Sequence, residues 1–203
     1  KQSAKAGETA KKLVADAKGK KAGVKAIRDF VAKNIRHGGP SFTELPLSEL
    51  SAADTTLMDG YGHTADRAIL LHAMLSAAGY APEFVLASGL PPVAGITNVA
   101  LAFPLPQSFS LPLVRVNVDG VTCYLNDTDQ YAELGTTGSD GRMAITLANQ
   151  SFDVVRAASE FRDKTETDYT LSISDTGKTR VGITRRYFGN AFNGKHRYFA
   201  ELP

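Results

Sequence analysis

One stretch of this sequence, from Gly60 to Gly79, restricts the possible folds more than any other. It reads GYGHTADRAILLHAMLSAAG and begins abruptly after a Gly-Tyr-Gly turn. Thr64 and Asp66 lie at its start, where the free N–H groups of a first helical turn favour a side-chain oxygen and a negative charge. Most of the residues that follow are apolar, which is typical of a helix packed inside a core. The sequence therefore predicts a buried helix, and the N-terminus of that helix decides the functional interpretation.

Length and charge restrict the class of protein. The 203 residues are enough for one domain, or for one domain with a small additional module. The 23 basic and 21 acidic residues nearly balance, so composition gives no reason to expect a nucleic-acid or anionic-membrane partner. No apolar run reaches the roughly 20 residues that a membrane span needs. Because the sequence has neither a starting methionine nor a signal peptide, we expect it to be an internal piece of a larger protein.

Residues that could bind a metal or form a disulfide are scarce. Cys123 is the one cysteine, which excludes an intrachain disulfide and a multi-cysteine metal site. The four histidines are dispersed and form no H-x-x-x-H pair, so we predict no metal site and no cofactor. Asp127 and Asp129 could bind a cation, but a turn at the end of a strand explains them equally well. Cysteine usage leaves the compartment undecided.

The chain before the central helix is predicted to be mostly helical. Residues 1–36 form helix with a break between Gly19 and Gly23, and the second part has an amphipathic apolar stripe. The sequence His-Gly-Gly-Pro from His37 ends this helix near Arg36. Residues 41–59 have little periodicity and are predicted to be a long loop with one short turn.

After the central helix the sequence alternates between short strands and irregular segments. Gly79 is a predicted helix C-cap. Residues 88–112 hold five of the nine prolines, which indicates an irregular excursion with one possible strand at 99–103. Asp119-Gly120 is a two-residue turn signal between alternating segments, which predicts a β-hairpin. The predicted strands of this region are 83–87, 113–118, 121–125 and 143–147, with a loop at 132–140.

The last fifty or so residues differ in character. Residues 169–174 and 178–188 are predicted to be strands around an Asp175-Thr176-Gly177 turn. We place a domain boundary near residue 150, with a core at 1–150 and a small C-terminal β module at 151–203 that we expect to be truncated.

This arrangement resembles the transglutaminase-like superfamily, whose core has the papain-like cysteine-peptidase fold. In that family the helix opens with a pattern like G-x-C-x-D and continues with a Leu- and Ala-rich run ending in Gly. The corresponding residues here are Gly62, His63, Thr64, Asp66, Ala68, Leu70, Leu71, Met74, Leu75 and Gly79. The resemblance covers about residues 24–148 and implies an α+β fold with helices packed on an antiparallel sheet.

The catalytic triad that the resemblance implies is not retained. The family's nucleophile is a cysteine at the position of Thr64. Its histidine opens a strand in a phrase like H-A-W-V-x-V, which falls on Leu111. Its acid lies in a phrase like L-D-P-T, which falls on Asn126. We therefore predict a framework without cysteine chemistry, in which Thr64 is the helix N-cap.

Other histidines and acidic residues, and the cysteine, are further candidates for a site. His63 could lie at the rim of the cleft or pair with Asp66 or Asp127, and we predict these three as cleft-binding residues. His37 and His196 are predicted to lie in a loop and in the tail without converging on a site. Cys123 is predicted to be a half-buried structural residue, because neither a helix start nor a cation is apparent beside it.

The functional hypothesis is a catalytically inactive domain that binds a protein, peptide or glycan, or acts as a scaffold, in a larger bacterial protein. The family resemblance places it outside the cytoplasm, in the periplasm or secreted, with flanking domains. The alternative is a hydrolase or acyl-transfer enzyme with a rearranged site, using His63 and Asp127. A third possibility is a structural spacer, whose cleft would be filled by its own side chains such as Leu111.

Overall fold

In a computed structural model, which describes residues 3–202 except for the side chain of Ala100, N-terminal helices pack against an antiparallel sheet. The helices are α1 (Ala4–Ala15), α2 (Lys20–Asn34), α3 (Ala53–Asp59), α4 (Thr64–Ala77), α5 (Ala94–Ala102) and α6 (Gly189–Ala200). The strands are β1 (Arg36–His37), β2 (Tyr61–Gly62), β3 (Glu83–Ala87), β4 (Leu111–Val118), β5 (Val121–Leu125), β6 (Met143–Thr146), β7 (Ser151–Val154), β8 (Lys164–Ile173) and β9 (Thr179–Phe188). The α+β class predicted from the sequence is confirmed.

The central helix α4 is buried as predicted. Its apolar side chains Leu70, Leu71, Met74 and Leu75 are at most 2% exposed. They pack with residues of α1 and α2 and with one face of β4 in a single core cluster. The C-cap is Ala78 rather than the predicted Gly79, which follows it with a φ of 86°, where glycine avoids the strain that a Cβ atom would introduce.

The main sheet has five strands in the order β5-β4-β3-β6-β7, all antiparallel. The predicted β4–β5 hairpin is confirmed, and both of its turn residues have positive φ, Asp119 at 51° and Gly120 at 84°. This is the requirement of a type I′ turn, whose twist matches that of the strands. Val114 and Val116 face α4, whereas Leu113 belongs to a second cluster on the opposite face.

Two segments differ from the sequence prediction. The predicted loop at 41–59 contains α3, which buries Ala53 and Thr56 and packs against α4. The possible strand at 99–103 is wrong, since residues 99–102 belong to α5 and Val99 is 64% exposed. The segment lies outside the sheet, where a helix satisfies the backbone hydrogen bonds locally.

The C-terminal segment contains the two predicted strands, paired as a long hairpin, and also α6, which was not predicted. Residue 150 lies in the turn between β6 and β7, which pair within the same sheet, so the sheet continues four residues past the proposed boundary. The division into 1–150 and 151–203 stays a prediction. On one face of the β8–β9 hairpin the apolar side chains are more than half exposed, namely Tyr169, Leu171, Ile173, Val181 and Ile183.

Candidate functional site

A short parallel strand pair forms the entrance to α4. β1 pairs with β2 so that His37 lies opposite Gly62. A Cβ atom at Gly62 would lie 2.9 Å from Thr56 Cγ2, so this close approach requires glycine. The pairing brings the end of the N-terminal helical region to the start of the central helix.

The N-cap of α4 is His63 rather than Thr64, which corrects the sequence prediction. His63 has extended backbone angles, and its Nδ1 accepts a hydrogen bond of 3.1 Å from Ala65 N. Asp66 Oδ2 accepts a hydrogen bond from His63 N, and Asp66 Oδ1 accepts one from Ser51 N at 2.7 Å. An imidazole nitrogen can thus serve as the cap acceptor in place of the usual hydroxyl or carboxylate.

Thr64 is the first residue of the helix, and its hydroxyl contacts a histidine. His37 Nε2 lies 2.8 Å from Thr64 Oγ1, and the imidazole is exposed. The sequence did not predict this contact between His37 and Thr64. Only the two-residue β1–β2 pair creates this contact, and a pair that short leaves no periodic pattern in the sequence.

Asn126 connects the helix start to the sheet. Its Nδ2 donates hydrogen bonds of 2.8 Å to Thr64 O and 2.8 Å to Pro112 O. Its φ of 95° lies in the left-handed region, which asparagine adopts more readily than most residues. The fold thus brings positions 64 and 126 together, but the Asn126 amide is engaged with the backbone.

Leu111, where the sequence resemblance implies a histidine, does not face the helix. It pairs with Ala87 and packs against the second cluster, which contains Leu113 and Val85. Its neighbour Pro112 instead lines a cavity beside Ala65 of α4. β4 therefore offers no base to Thr64.

The three predicted cleft-binding residues have structural partners. His63 and Asp66 are only 4% and 7% exposed, and both are engaged in the helix cap. The Asp127 carboxylate accepts a hydrogen bond from Thr137 Oγ1. Burial raises the pKa of this carboxyl, and hydrogen bonds from Thr137 and Ser139 oppose that shift. The structure does not join His63 to Asp127 or place His63 at a rim, which corrects those expectations.

An apolar cavity of about 230 Å³ lies beside the helix start, between α4 and the sheet. Ala65 and Pro112 line it, and Phe42, whose ring centre is 6.4 Å from that of His63, covers one side. Leu111 does not line this cavity, so the plug expected of a structural spacer is not formed by that side chain.

The single thiol lies in the core. Cys123 on β5 is 2% exposed, and burial raises the pKa of its thiol, an effect that Lys21 and Arg28 only partly oppose. The prediction of a half-buried structural cysteine is corrected to a fully buried one. A nucleophilic cysteine needs the opposite environment, with a lowered pKa and access to solvent.

We expect native Cys123 to react with a thiol reagent such as DTNB far more slowly than a solvent-exposed thiol. After denaturation one equivalent should react rapidly, because unfolding exposes the thiol and restores its ordinary pKa. Absorbance of the released thiolate measures both rates. Rapid reaction of the folded protein, shown to be folded by circular dichroism, would contradict the buried environment.

The described part of the chain, residues 3–202, contains no cluster of three or more histidine, cysteine, aspartate or glutamate side chains that could hold a metal ion. Within the same residues, every helix is too short or too polar to cross a membrane.

No family model matches the sequence, and no curated protein matches it. Among solved structures, a putative protease from Parabacteroides distasonis ATCC 8503 superposes with a TM-score of 0.56 at 18% identity, over 86% of this chain and 34% of that chain. A putative cysteine protease from Cytophaga hutchinsonii gives a TM-score of 0.49 at 14% identity, over 92% and 52%. The chain spans about a third of the P. distasonis structure, and this superposition shows that the two proteins share a fold.

Proposed function

We propose that this chain is a catalytically inactive relative of the transglutaminase-like superfamily that acts as a binding or scaffolding module. The observation that carries the proposal is the environment of Thr64. This residue is the first of α4, where the family resemblance implies the nucleophile, while the single thiol of the chain is buried in β5.

Two physical arguments support the loss of acyl-transfer chemistry. A threonine hydroxyl is much less acidic than a thiol, and an internal threonine lacks the terminal amine that activates N-terminal threonine nucleophiles. In addition, the first-turn N–H of Ala65 is already bonded to His63 Nδ1. That N–H is therefore unavailable to stabilise an oxyanion, which is a large contribution in acyl transfer.

The 2.8 Å contact between His37 Nε2 and Thr64 Oγ1 favours a second candidate, a hydrolase with a hydroxyl nucleophile and a histidine base. Such a base is normally oriented by a third group. Within residues 3–202, no acidic side chain bonds to His37, and Asn126 directs its amide to backbone carbonyls instead. The inactive module therefore remains the better supported function.

The setting of this module rests on the family resemblance. We propose that it binds a protein, peptide or glycan within a larger bacterial protein outside the cytoplasm. The P. distasonis structure, of which the chain covers 34%, supports the larger context.

A turnover assay tests the proposal. Wild-type protein, Thr64→Ala and His37→Ala would be incubated with fluorogenic peptide mixtures, and separately with a glutaminyl substrate and an amine donor. We expect all three proteins to give the background rate, because neither thiolate nor oriented base is present. Wild-type turnover that disappears in both variants would overturn the proposal and establish the His37–Thr64 pair as catalytic.

A further inference from the structure

The β8–β9 hairpin is amphipathic. Successive residues of a strand point to opposite faces, so the pairing of β8 with β9 divides the hairpin into two rows of side chains. One face is polar and carries the ion pairs of Arg186 with Asp168 and of Lys164 with Glu166. The other face, here called the apolar face, carries five apolar side chains that are 52–69% exposed, namely Tyr169, Leu171, Ile173, Val181 and Ile183. This alternation is typical of a sheet that packs one face against another surface.

Residues 3–202 leave the apolar face uncovered. Helix α6 packs beside the base of the hairpin, where Lys195 Nζ lies 5.5 Å from the ring centre of Tyr187. From there toward the tip, the five apolar side chains remain more than half exposed. A two-stranded ribbon is marginally stable by itself and gains stability when its apolar face packs against another surface. We therefore expect the apolar face to be covered in solution.

The size of the apolar face fits a second copy of this chain. Five large side chains that are each more than half exposed amount to an apolar surface on the order of 400 Å². About three-fifths of a protein interface is apolar, so a patch of this size corresponds to roughly 700 Å² per partner. Standard interfaces bury about 800 Å² per partner. Two copies packed through this face therefore bury enough surface for a specific dimer.

The charges of the hairpin also suit a second copy. Of the ten side chains that β8 and β9 place on the apolar face, Arg185 is the charged one. The paired residues Leu171 and Val181 lie at the centre of the apolar side chains. Arg185 lies four residues from Val181 toward the base, and Asp175 lies four residues from Leu171 toward the tip. A two-fold axis at the central pair, with the hairpins antiparallel, therefore places Arg185 of each copy opposite Asp175 of the other.

We infer that this chain forms a symmetric homodimer through the apolar face, with the two hairpins packed face to face and antiparallel. Leu171 and Val181 of one copy pack on the same two residues of the other, and Arg185 of each copy pairs with Asp175 of the other. A contact of this kind closes after two copies and does not propagate into a filament. The inference goes beyond the proposed function, because a dimer gives a binding module two sites and so a higher avidity for a multivalent ligand.

Sedimentation equilibrium of the 203-residue chain tests the dimer over a concentration range of about 1–200 µM. We expect the mean mass to rise from that of one chain, 21.7 kDa, toward that of two chains and no further. Leu171→Lys places a charge from each copy at the centre of the interface and should weaken association at least about a hundredfold. Val99→Lys adds the same charge at an apolar residue of α5 that is 64% exposed, and should leave association unchanged. A chain that stays monomeric, or equal effects of the two substitutions, would overturn the inference.

Charge reversal tests the antiparallel arrangement. Arg185→Glu sets like charges against Asp175 in both halves of the dimer and should weaken association about tenfold. Combining Arg185→Glu with Asp175→Arg restores opposite charges and should return association to within about threefold of wild type. A double variant that associates as weakly as Arg185→Glu alone would contradict the antiparallel arrangement.

Two further measurements identify what covers the apolar face. Because the dimer buries this face, amide hydrogen exchange in β8 and β9 should slow as the protein concentration rises, while exchange in α4 stays constant. Vesicles of phosphatidylcholine and phosphatidylglycerol test a lipid surface as the partner instead. Binding of the monomeric chain to these vesicles, lost in Leu171→Lys, would overturn the inference and assign the apolar face to a membrane surface.

Discussion

Replacing Asn126 with aspartate, the residue type that the family resemblance implies at this position, should destabilise the protein by about 2–4 kcal/mol. The substitution removes the two hydrogen bonds that Nδ2 donates to Thr64 O and Pro112 O. It also places a carboxylate oxygen against two carbonyl oxygens, which adds repulsion in a half-buried environment. Urea unfolding followed by circular dichroism measures the loss of free energy of unfolding.

Asn117→Asp is the matched control. Asn117 is exposed on β4, and its side chain uses only the oxygen, which accepts from Gly120 N. A carboxylate keeps that acceptor, so we expect a change within about 0.5 kcal/mol. Equal effects of the two substitutions would show that the bonds of Asn126 to the backbone do not stabilise the fold.

Replacing Arg28 with alanine should cost about 3–5 kcal/mol. The guanidinium is 2% exposed and joins α2 to the loop after Asn126, through a hydrogen bond of 2.8 Å to Ala132 O. It also pairs with Asp29 at 2.6 Å. Alanine would leave a cavity, a buried carbonyl without a partner and a carboxylate without its buried cation, so the penalties act together.

Lys25→Ala tests whether the loss of the ion pair alone explains that cost. Lys25 pairs with the same Asp29 from the surface, where its side chain is 49% exposed. Surface pairs of this kind contribute little, so we expect a change below about 1 kcal/mol. A loss in Lys25→Ala as large as that in Arg28→Ala would contradict the importance of burial.

The parts of the fold that the sequence predicts are those encoded by local patterns. The apolar run of α4 and the Asp119-Gly120 turn each determine a structure within a few residues, and both are confirmed. The helix start was misplaced by one residue, because Thr64 is the commoner capping residue type and His63 is not. A capping histidine has no distinctive sequence pattern.

The candidate site depends on contacts between distant segments. The His37–Thr64 pair joins residues 27 positions apart through a strand pair only two residues long. The hydrogen bonds of Asn126 depend on its left-handed backbone conformation as well as on the paired strands. Neither periodicity nor composition encodes such features. The sequence therefore shows that Thr64 and Asn126 differ from the residue types that the resemblance implies, but not which groups these two residues contact.

The β8–β9 hairpin has a consequence for how unfolding proceeds. Nearly all of its contacts are between its own strands and α6, and both its faces are exposed along most of its length. Two-stranded ribbons are marginally stable, so its amides should exchange with deuterium through local opening at a lower free energy than those of α4. The hairpin and the core then form separate cooperative units. The substitutions at Asn126 and Arg28 should therefore raise the hydrogen-exchange rates of amides in α4 and β4. The exchange rates of β8 and β9 should stay unchanged.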